Sequence, residues 1–162
     1  MTAKLLYLSK RARPDFQTAV SFLTTCVMQP NVDDWKKLGQ SIKFLCKTQD
    51  LWLTLEVGDK LCIRWWIDAS FGVHPDKHSH TGATMSLGKG SPISSSTKQK
   101  LNTRSSTEAE LVGVDNSMAL VVWTQNFLQA QGLKVTDNIM YQDNQSAMLL
   151  EHNGRSSSGR RT

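Results

Sequence analysis

The spacing of apolar residues changes along this chain from a helical period to the period of a β-strand. Over most of the first fifty residues, apolar side chains recur every three or four positions, which is typical of amphipathic helices. From residue 61 to residue 68 they alternate instead, so that one face of a predicted strand carries Leu61, Ile63, Trp65 and Ile67. Helices and strands bury their apolar faces by packing on one another, so this change of period predicts an α/β fold.

Two helices are predicted in the first part of the chain. Arg13-Pro14-Asp15 marks the start of the first, because Pro and Asp are favoured in the first turn of a helix. Gln29-Pro30-Asn31 interrupts the helical pattern. Asp33 and Asp34 then open the second helix, where their carboxylates complement the helix dipole. Residues 48–60 are interpreted as a connector.

The rest of the chain is predicted to form a mixed sheet with flanking helices. The predicted strands are residues 61–68, 81–87, 93–97 and 139–141, and the predicted helices are 107–131 and 144–151. Ser105 and Glu108 have capping-box spacing at the start of the long helix, and Gly132 is a suitable stop. The predicted buried stripe of this helix comprises Leu111, Val114, Met118, Val121 and Leu128. Residues 154–162 are predicted to be a flexible basic tail.

Composition excludes some classes of protein and suits a polyanionic partner. Of 162 residues, 39% are apolar and 20% are charged, which is ordinary for a globular domain and unlike a disordered chain. The net charge of +5 is compatible with binding nucleic acid. No apolar run approaches the roughly 20 residues of a membrane span, so no membrane partner is predicted. The cysteines Cys26, Cys46 and Cys62 lack metal-site spacing and are predicted to be buried thiols in a reducing compartment.

Three short acidic segments occur in a fixed order along the predicted elements. Asp68 comes at the end of the first strand, Glu110 lies one turn into the long helix, and Asp143 follows a later strand. A helix docked on a sheet brings its first turn close to neighbouring strand ends, so these carboxylates could converge. Carboxylate oxygens bind hard divalent cations, and two such ions about 4 Å apart promote phosphodiester hydrolysis. The order therefore predicts a metal-dependent nuclease.

Each acid also has a structural explanation when it is considered alone. Asp68 could simply end a strand, Glu110 could belong to a capping box begun by Thr107, and Asp143 could cap the following helix. For any one residue the structural explanation is the commoner one. The three acids together, each in its expected local structure, favour the metal-binding interpretation.

Five ordered motifs resemble the ribonuclease H domain of copia-type LTR retrotransposon Pol polyproteins. They are Asp68-Ala69-Ser70-Phe71, Ser79-His80-Thr81-Gly82, Lys98-Gln99, Ser105-Ser106-Thr107-Glu108-Ala109-Glu110 and Asp143-Asn144-Gln145-Ser146-Ala147. Residues 5–15 are similar to the end of the reverse transcriptase in the same polyproteins. The resemblance implies a helical reverse-transcriptase segment, thumb- or connection-like, in residues 1–55, and a ribonuclease H-like domain in residues 56–162.

The resemblance also implies a site, its cofactor and its partners. Asp68, Glu110 and Asp143 correspond to metal-binding catalytic acids for Mg²⁺ or Mn²⁺, with two ions expected. Glu110 is preferred to Glu108 because the apolar Leu111 follows it. The implied partners are an RNA–DNA hybrid, whose RNA strand is the substrate, and the remainder of the polyprotein with its reverse-transcriptase fingers and palm. The resemblance also implies an intracellular location, in a cytoplasmic particle, in the nucleus or in both. Residues expected to contact nucleic acid are His80, Lys98, Lys100, Arg104, Asn144 and Gln145.

The sequence also permits other interpretations of the site. The family pattern places a His-x-Asp segment with a fourth acid beyond Thr162, which leaves open a non-catalytic remnant that binds nucleic acid. An integrase or transposase core carries its acids in the order Asp, Asp, Glu, unlike the order here. Zinc binding by His74, His78 and His80 is disfavoured because no cysteine lies nearby. The paired Asp33 and Asp34 are interpreted as a helix start and not as a polymerase site.

Overall fold

The computed structural model describes residues 1–153 and shows an α/β chain. Its α-helices are α1 Thr2–Arg11, α2 Gln17–Thr25, α3 Val32–Lys47, α4 Ser106–Ala130 and α5 Gln145–Asn153. Its strands are β1 Glu56–Val57, β2 Cys62–Ser70, β3 His80–Ser86, β4 Gly88–Lys89, β5 Ile93–Lys98 and β6 Asp137–Tyr141. The predicted tail at residues 154–162 lies outside the described part of the chain.

The main sheet has the strand order β5-β3-β2-β6. Strand β3 runs antiparallel to both β5 and β2, whereas β6 runs parallel to β2. The parallel pair is possible because the long helix α4 lies between β5 and β6 in the sequence and returns the chain to the same end of the sheet. The predicted α/β class and mixed sheet are therefore confirmed.

One face of the sheet packs against α4. Along β2, Ile63, Trp65 and Ile67 are 0–3% exposed, while Trp66 and Asp68 on the other face are exposed. Val121 of α4 belongs to the buried cluster around Ile63 and Trp65. The alternation predicted for residues 61–68 is confirmed, and it fixes which β2 side chains face α4 and which face outward.

The buried face of α4 differs in part from the predicted stripe. Val114 and Val121 are buried as predicted, but Met118 is 43% exposed. Small residues occupy the positions closest to the sheet, because a Cβ atom at Gly113 would lie 3.3 Å from Thr81 Cγ2 and 3.5 Å from Ala69 Cβ. The helix backbone therefore approaches β2 and β3 closely, and this brings its first turns near the ends of the strands.

Residues 1–55 contain three α-helices among the described residues, so the prediction of two was wrong. The helix missed is α1, in which only Ser9 is fully buried and Tyr7 and Leu8 are exposed, so that it lacks a clear apolar stripe. Helix α3 begins as predicted, with a capping box between Asn31 and Asp34. The start at Asp33 and Asp34 is thus the beginning of a helix.

The helices of residues 1–55 contact the sheet through α2. The side chain of Gln17 donates from Nε2 to the carbonyl oxygen of Ser94 in β5 at 3.1 Å. The ring of Phe22 stacks on His74 with the ring centroids 5.2 Å apart. Helix α2 therefore contacts both the edge strand β5 and the loop between β2 and β3.

The connector and the cysteines both differ from what the sequence predicts. The connector at residues 48–60 contains β1, which pairs antiparallel with β4 between Leu87 and Gly90. Of the cysteines, Cys62 is buried, Cys26 is half-buried and Cys46 is exposed, so the prediction of three buried thiols was right for Cys62 alone. Within residues 1–153, no helix has the length and apolar character required to cross a membrane.

Candidate metal centre

The parallel register of β2 and β6 sets the relative positions of Asp68 and Asp143. Trp66 pairs with Tyr141, and each acid lies two residues further along its own strand direction. Asp68 is within β2 and not at its last residue, while Asp143 follows the end of β6. Both acids are exposed, and both lie beside the outer face of the sheet that carries Trp66 and Tyr141.

Glu110 is brought to the same place by the start of α4. The helix is capped by the Ser105 hydroxyl, which accepts a hydrogen bond from the Glu108 amide at 3.1 Å. Buried Gln99 donates from Nε2 to Thr81 Oγ1 and to the carbonyl oxygen of Ala109, both at 2.8 Å. The first turns of α4 are therefore tied to β3 through Gln99, one residue before Glu110.

The three carboxylates converge. One oxygen from each of Asp68, Glu110 and Asp143 lies within 4.8 Å of the other two. Asp68 and Asp143 are exposed, whereas Glu110 is 5% exposed. Burial raises the pKa of the Glu110 carboxyl, and the nearby charges of Asp68 and Asp143 raise it further, while hydrogen bonding to the Ala69 backbone and to the Gln142 amide opposes the increase. An all-oxygen, anionic set of this kind suits a hard divalent cation.

Gln142, for which the sequence predicts no role, connects two of these acids. Its Nε2 donates to Glu110 Oε2 at 3.2 Å, and its Oε1 accepts a hydrogen bond from the backbone amide of Asp143 at 2.9 Å. The sequence signal was only that this residue stands directly before Asp143. Its contact with Glu110 depends on how α4 docks against β6.

Two of the structural explanations for single acids do not fit the geometry. The cap of α5 is Asn144, whose Oδ1 accepts from the Ala147 amide at 3.0 Å, so Asp143 is not the capping residue. At the start of α4, the carboxylate of Glu108 accepts from the Arg104 amide at 2.6 Å, so capping does not involve Glu110. Glu110 and Asp143 therefore have no capping role in these helices.

A groove of about 690 Å³ gives access to the acid cluster from the outer face of the sheet. Asp68 and Asp143 lie in its wall, next to Trp66 and Tyr141, whose rings stack with centroids 5.3 Å apart. The start of α2 and the serines of β5 form other parts of the lining. Two of the three carboxylates are thus open to a ligand that approaches this face.

Of the residues expected to contact nucleic acid, His80 does not fit that role. It is 8% exposed, and its two ring nitrogens lie 3.0 Å from His74 Nε2 and 2.7 Å from Ser96 Oγ. Both ring nitrogens of His80 therefore have hydrogen-bond partners inside the protein. Burial lowers the pKa of both His74 and His80. The three histidines of this region are not among the described groups that could hold a metal ion, since only the acid cluster has that geometry.

The other expected nucleic-acid contacts lie in different settings. Lys100 and Arg104 are exposed between β5 and α4, and Gln145 is exposed at the start of α5. Lys98 forms an ion pair with Asp76, and Asn144 is held as the cap of α5. Lys100, Arg104 and Gln145 are thus the members of this group whose side chains are exposed.

The fold and the site define a mixed α/β protein with a three-carboxylate candidate metal centre. The chain matches one segment of each of several longer proteins. The chain is 34% identical over 141 residues to the retrovirus-related Pol polyprotein from transposon RE2 of Arabidopsis thaliana, an alignment that covers 85% of this chain and 10% of that protein. The corresponding protein from transposon TNT 1-94 of Nicotiana tabacum is 27% identical over 157 residues, covering 92% of this chain and 11% of that protein.

A third relative, the Pol polyprotein from transposon RE1 of Arabidopsis thaliana, is 33% identical over 85% of this chain and 10% of its own length. The predicted resemblance is confirmed: over most of its length, the chain is homologous to a segment of the Pol polyproteins of copia-type retrotransposons. It spans about a tenth of the length of these three curated relatives. No protein-family model and no solved structure matches the chain.

Proposed function

We propose that this chain contains a ribonuclease H-like domain that hydrolyses the RNA strand of RNA–DNA hybrids in the presence of Mg²⁺ or Mn²⁺. The observation that carries the proposal is the convergence of Asp68, Glu110 and Asp143, with ligand oxygens within 4.8 Å of one another. The mixed sheet with its flanking helices is the architecture that the family resemblance implies. Homology to retrotransposon Pol polyproteins supports the same assignment.

The three acids are suited to different roles in metal binding and phosphodiester hydrolysis. Asp68 and Asp143 are exposed in the wall of the groove, where a bound phosphodiester would reach them. Glu110 is buried behind them and is held by Gln142, so it would anchor an ion on the protein side. Two divalent ions on these ligands would supply a polarised water and would shield the negative charge of the phosphate and the leaving oxygen.

Recognition of the hybrid is proposed to depend on its backbone and not on its bases. The exposed cations Lys100 and Arg104 would contact phosphates, and exposed Gln145 beside Asp143 could hydrogen-bond to sugar or phosphate oxygens. The 2′-hydroxyl groups that distinguish RNA from DNA lie in the minor groove of the hybrid. Cleavage should therefore be largely independent of sequence.

Residues 1–55 are proposed to be the C-terminal end of a reverse transcriptase, thumb- or connection-like, that precedes the ribonuclease H-like domain at residues 56–162. The change from helices to strands, with β1 beginning at Glu56, supports this boundary. The fingers and palm of the reverse transcriptase in a longer polyprotein would then be partners of this segment. The contacts of Gln17 with Ser94 and of Phe22 with His74 would hold the two parts together.

The proposal is tested by incubating the purified chain with a labelled RNA–DNA hybrid and Mg²⁺ or Mn²⁺. We expect cleavage of the RNA strand, with single-stranded RNA, RNA duplex and DNA duplex left intact. Asp68→Asn should abolish cleavage, because it removes a charged ligand from the cluster. Asp115→Asn is the matched control, since Asp115 is an exposed acid on α4 that does not belong to the cluster.

Two results would count against the nuclease assignment. Cleavage that persists in Asp68→Asn at the rate of the unchanged chain would locate the activity elsewhere, or in a contaminant. An unchanged chain that binds the hybrid but cleaves nothing with either ion would favour the alternative, a non-catalytic retroelement remnant that binds nucleic acid.

A further inference from the structure

The side chain of Gln142 bridges two elements that each carry an acid of the cluster. Its amide nitrogen Nε2 donates to Glu110 on α4, and its amide oxygen Oε1 accepts from the backbone that begins the Asp143 loop. The same oxygen also lies 3.5 Å from the amide nitrogen of Asn144. One side chain therefore contacts both the carboxylate of one acid and the backbone of another.

The direction of this side chain is set where the chain leaves β6. Met140 packs into the core between the sheet and α4, whereas Tyr141 stacks on Trp66 at the outer face. The next residue, Gln142, follows the end of the strand and reaches Glu110 on α4 with its side-chain amide, whereas Asp143 is exposed in the groove. A polar residue at position 142 is thus directed at the start of α4, where Glu110 is buried.

The two hydrogen bonds also fix which way round the amide lies. A backbone N–H needs an acceptor, so the oxygen must face Asp143, and the nitrogen is then left to donate to the Glu110 carboxylate. If the amide were rotated by 180°, its nitrogen would face the amide nitrogen of Asp143 and its oxygen would face the Glu110 carboxylate. Neither hydrogen bond could then form. The arrangement restricts both the Glu110 carboxylate and the path of the chain at Asp143.

We propose that Gln142 is a positioning residue that sets the separation of the Glu110 and Asp143 carboxylates in the proposed metal centre. The inference rests on the proposed function in that it requires these acids to bind an ion. Residues that hydrogen-bond to ligands without touching the metal typically change metal affinity ten- to a hundredfold when they are replaced. Gln142 has such a contact with Glu110 and adds a second one to the backbone of Asp143.

The test measures the binding of Mg²⁺, Mn²⁺ and Ca²⁺ to the full chain by isothermal titration calorimetry. Gln142→Met keeps the approximate size of the side chain and removes both hydrogen bonds, and Gln142→Ala removes them without adding bulk. We expect each variant to weaken Mg²⁺ and Mn²⁺ binding about tenfold or more. Ca²⁺ should be affected less, because it accepts irregular ligand geometry whereas Mg²⁺ requires a near-octahedral one.

Gln125→Met provides the matched control. Gln125 is also half-buried and accepts a hydrogen bond from Asn138 Nδ2 at 3.0 Å, but it lies away from the acid cluster. Its replacement should leave the affinity for all three ions unchanged. Circular dichroism of each variant establishes that the fold is retained before its affinity is compared.

The outcomes separate this inference from the proposed function. If the unchanged chain binds none of the ions, the metal centre itself is refuted and the role of Gln142 with it. If the unchanged chain binds Mg²⁺ and the two Gln142 variants bind it equally well, the positioning role alone is refuted. A loss that is equal for Mg²⁺ and Ca²⁺ would also refute it, since a general loosening of the fold would explain that result.

Discussion

Trp66 and Tyr141 are paired across the parallel strands β2 and β6, and their rings stack at an interplanar angle of 17° on the outer face of the sheet. This pair belongs to the parallel register of β2 and β6, which determines how the residues that follow on the two strands are aligned. Two residues beyond these aromatics stand Asp68 and Asp143, so the stack and the carboxylates depend on the same register. A slip of one residue would turn Asp143 toward the opposite face.

Replacing Tyr141 by Ala should destabilise the protein moderately. The substitution removes an aromatic pair, and such pairs contribute about 0.5–1.5 kcal/mol beyond the area that they bury. We expect the free energy of unfolding in urea to fall by about 1 kcal/mol. Trp52→Ala is the control, because the Trp52 side chain is 84% exposed and should contribute little. Equal losses in both variants would show that the stack adds nothing specific.

Binding of a divalent ion should stabilise the fold, because the ligand set exists only when the sheet and α4 are assembled. At a free Mn²⁺ concentration of a hundred times the dissociation constant, the free energy of unfolding should rise by about 2.7 kcal/mol. Thermal or urea unfolding with Mn²⁺ and with a chelator measures the difference. Glu110→Gln should remove most of this gain, and Asp115→Asn should keep it. A gain retained in Glu110→Gln would locate the ion elsewhere.

Without metal, Glu110→Gln should stabilise the protein. The Glu110 side chain is 5% exposed and lies near two other carboxylates, so its charge is both desolvated and repelled. An amide at this position removes that charge, and we expect a gain on the order of 1 kcal/mol in chelator. A loss of stability in urea unfolding would instead mean that the hydrogen bonds of the carboxylate outweigh its burial.

Acid should destabilise the fold through His74 and His80. Burial lowers the pKa of both imidazoles, with the charges of Lys98 and His78 lowering that of His74 further and Asp76 opposing them. An unfolded histidine titrates near pH 6.5, so below about that pH the unfolded chain binds more protons than the folded one. Stability should therefore decrease as the pH falls from about 6.5 through the lower pKa values of the folded state.

One pair of variants tests whether His74 contributes to the loss of stability at low pH. His74→Phe keeps a ring against Phe22 and removes one titrating group, so its urea-unfolding stability should decline less steeply between pH 6.5 and pH 5. His152→Phe, at an exposed position in α5, should decline like the unchanged protein. If both variants retain the original slope, other groups cause the acid sensitivity.

Close packing of α4 on the sheet should make Gly113 intolerant of a larger side chain. A Cβ atom there would already lie 3.3 Å from Thr81 Cγ2, so Gly113→Val should lower the free energy of unfolding by about 1–3 kcal/mol. Gly39→Val is the control, because Gly39 lies in helix α3 and a Cβ atom there would meet nothing within 4 Å apart from the neighbouring residues and backbone of its own helix. Urea unfolding of both variants compares the same substitution in two helix interiors. Similar values would indicate that the sheet can move to accommodate valine.

The parts of the fold that follow from local sequence pattern were predicted well. The alternation in β2 identified its buried face, because Ile63, Trp65 and Ile67 are large apolar residues that alternate with less buried residues from Arg64 onward. The capping signals at Ser105 and Gly132 located the ends of α4, with Ser105 accepting from the Glu108 amide and Gly132 adopting a φ of +79°. These signals depend on interactions between residues that are close in the sequence.

Several features that depend on tertiary contact were missed. Strand β1 has two exposed residues, Glu56 and Val57, and exists only because β4 pairs with it. Met118 was predicted to be buried because it is apolar, but the helix meets the sheet through smaller residues such as Gly113. Gln142 was missed since its partner Glu110 is distant in the sequence. The convergence of the acids was inferred from their order, whereas the amide that links two of them required the three-dimensional arrangement.

The ligands of the cluster come from β2, α4 and the loop after β6, which are far apart along the chain. No one of these segments carries more than one of the three acids. Affinity for a divalent ion would consequently appear late in folding, only after the long helix has docked and the parallel strand has joined the sheet. Ion binding would thus report on the completion of tertiary structure, and a substitution far from the acids could weaken it simply by loosening that assembly.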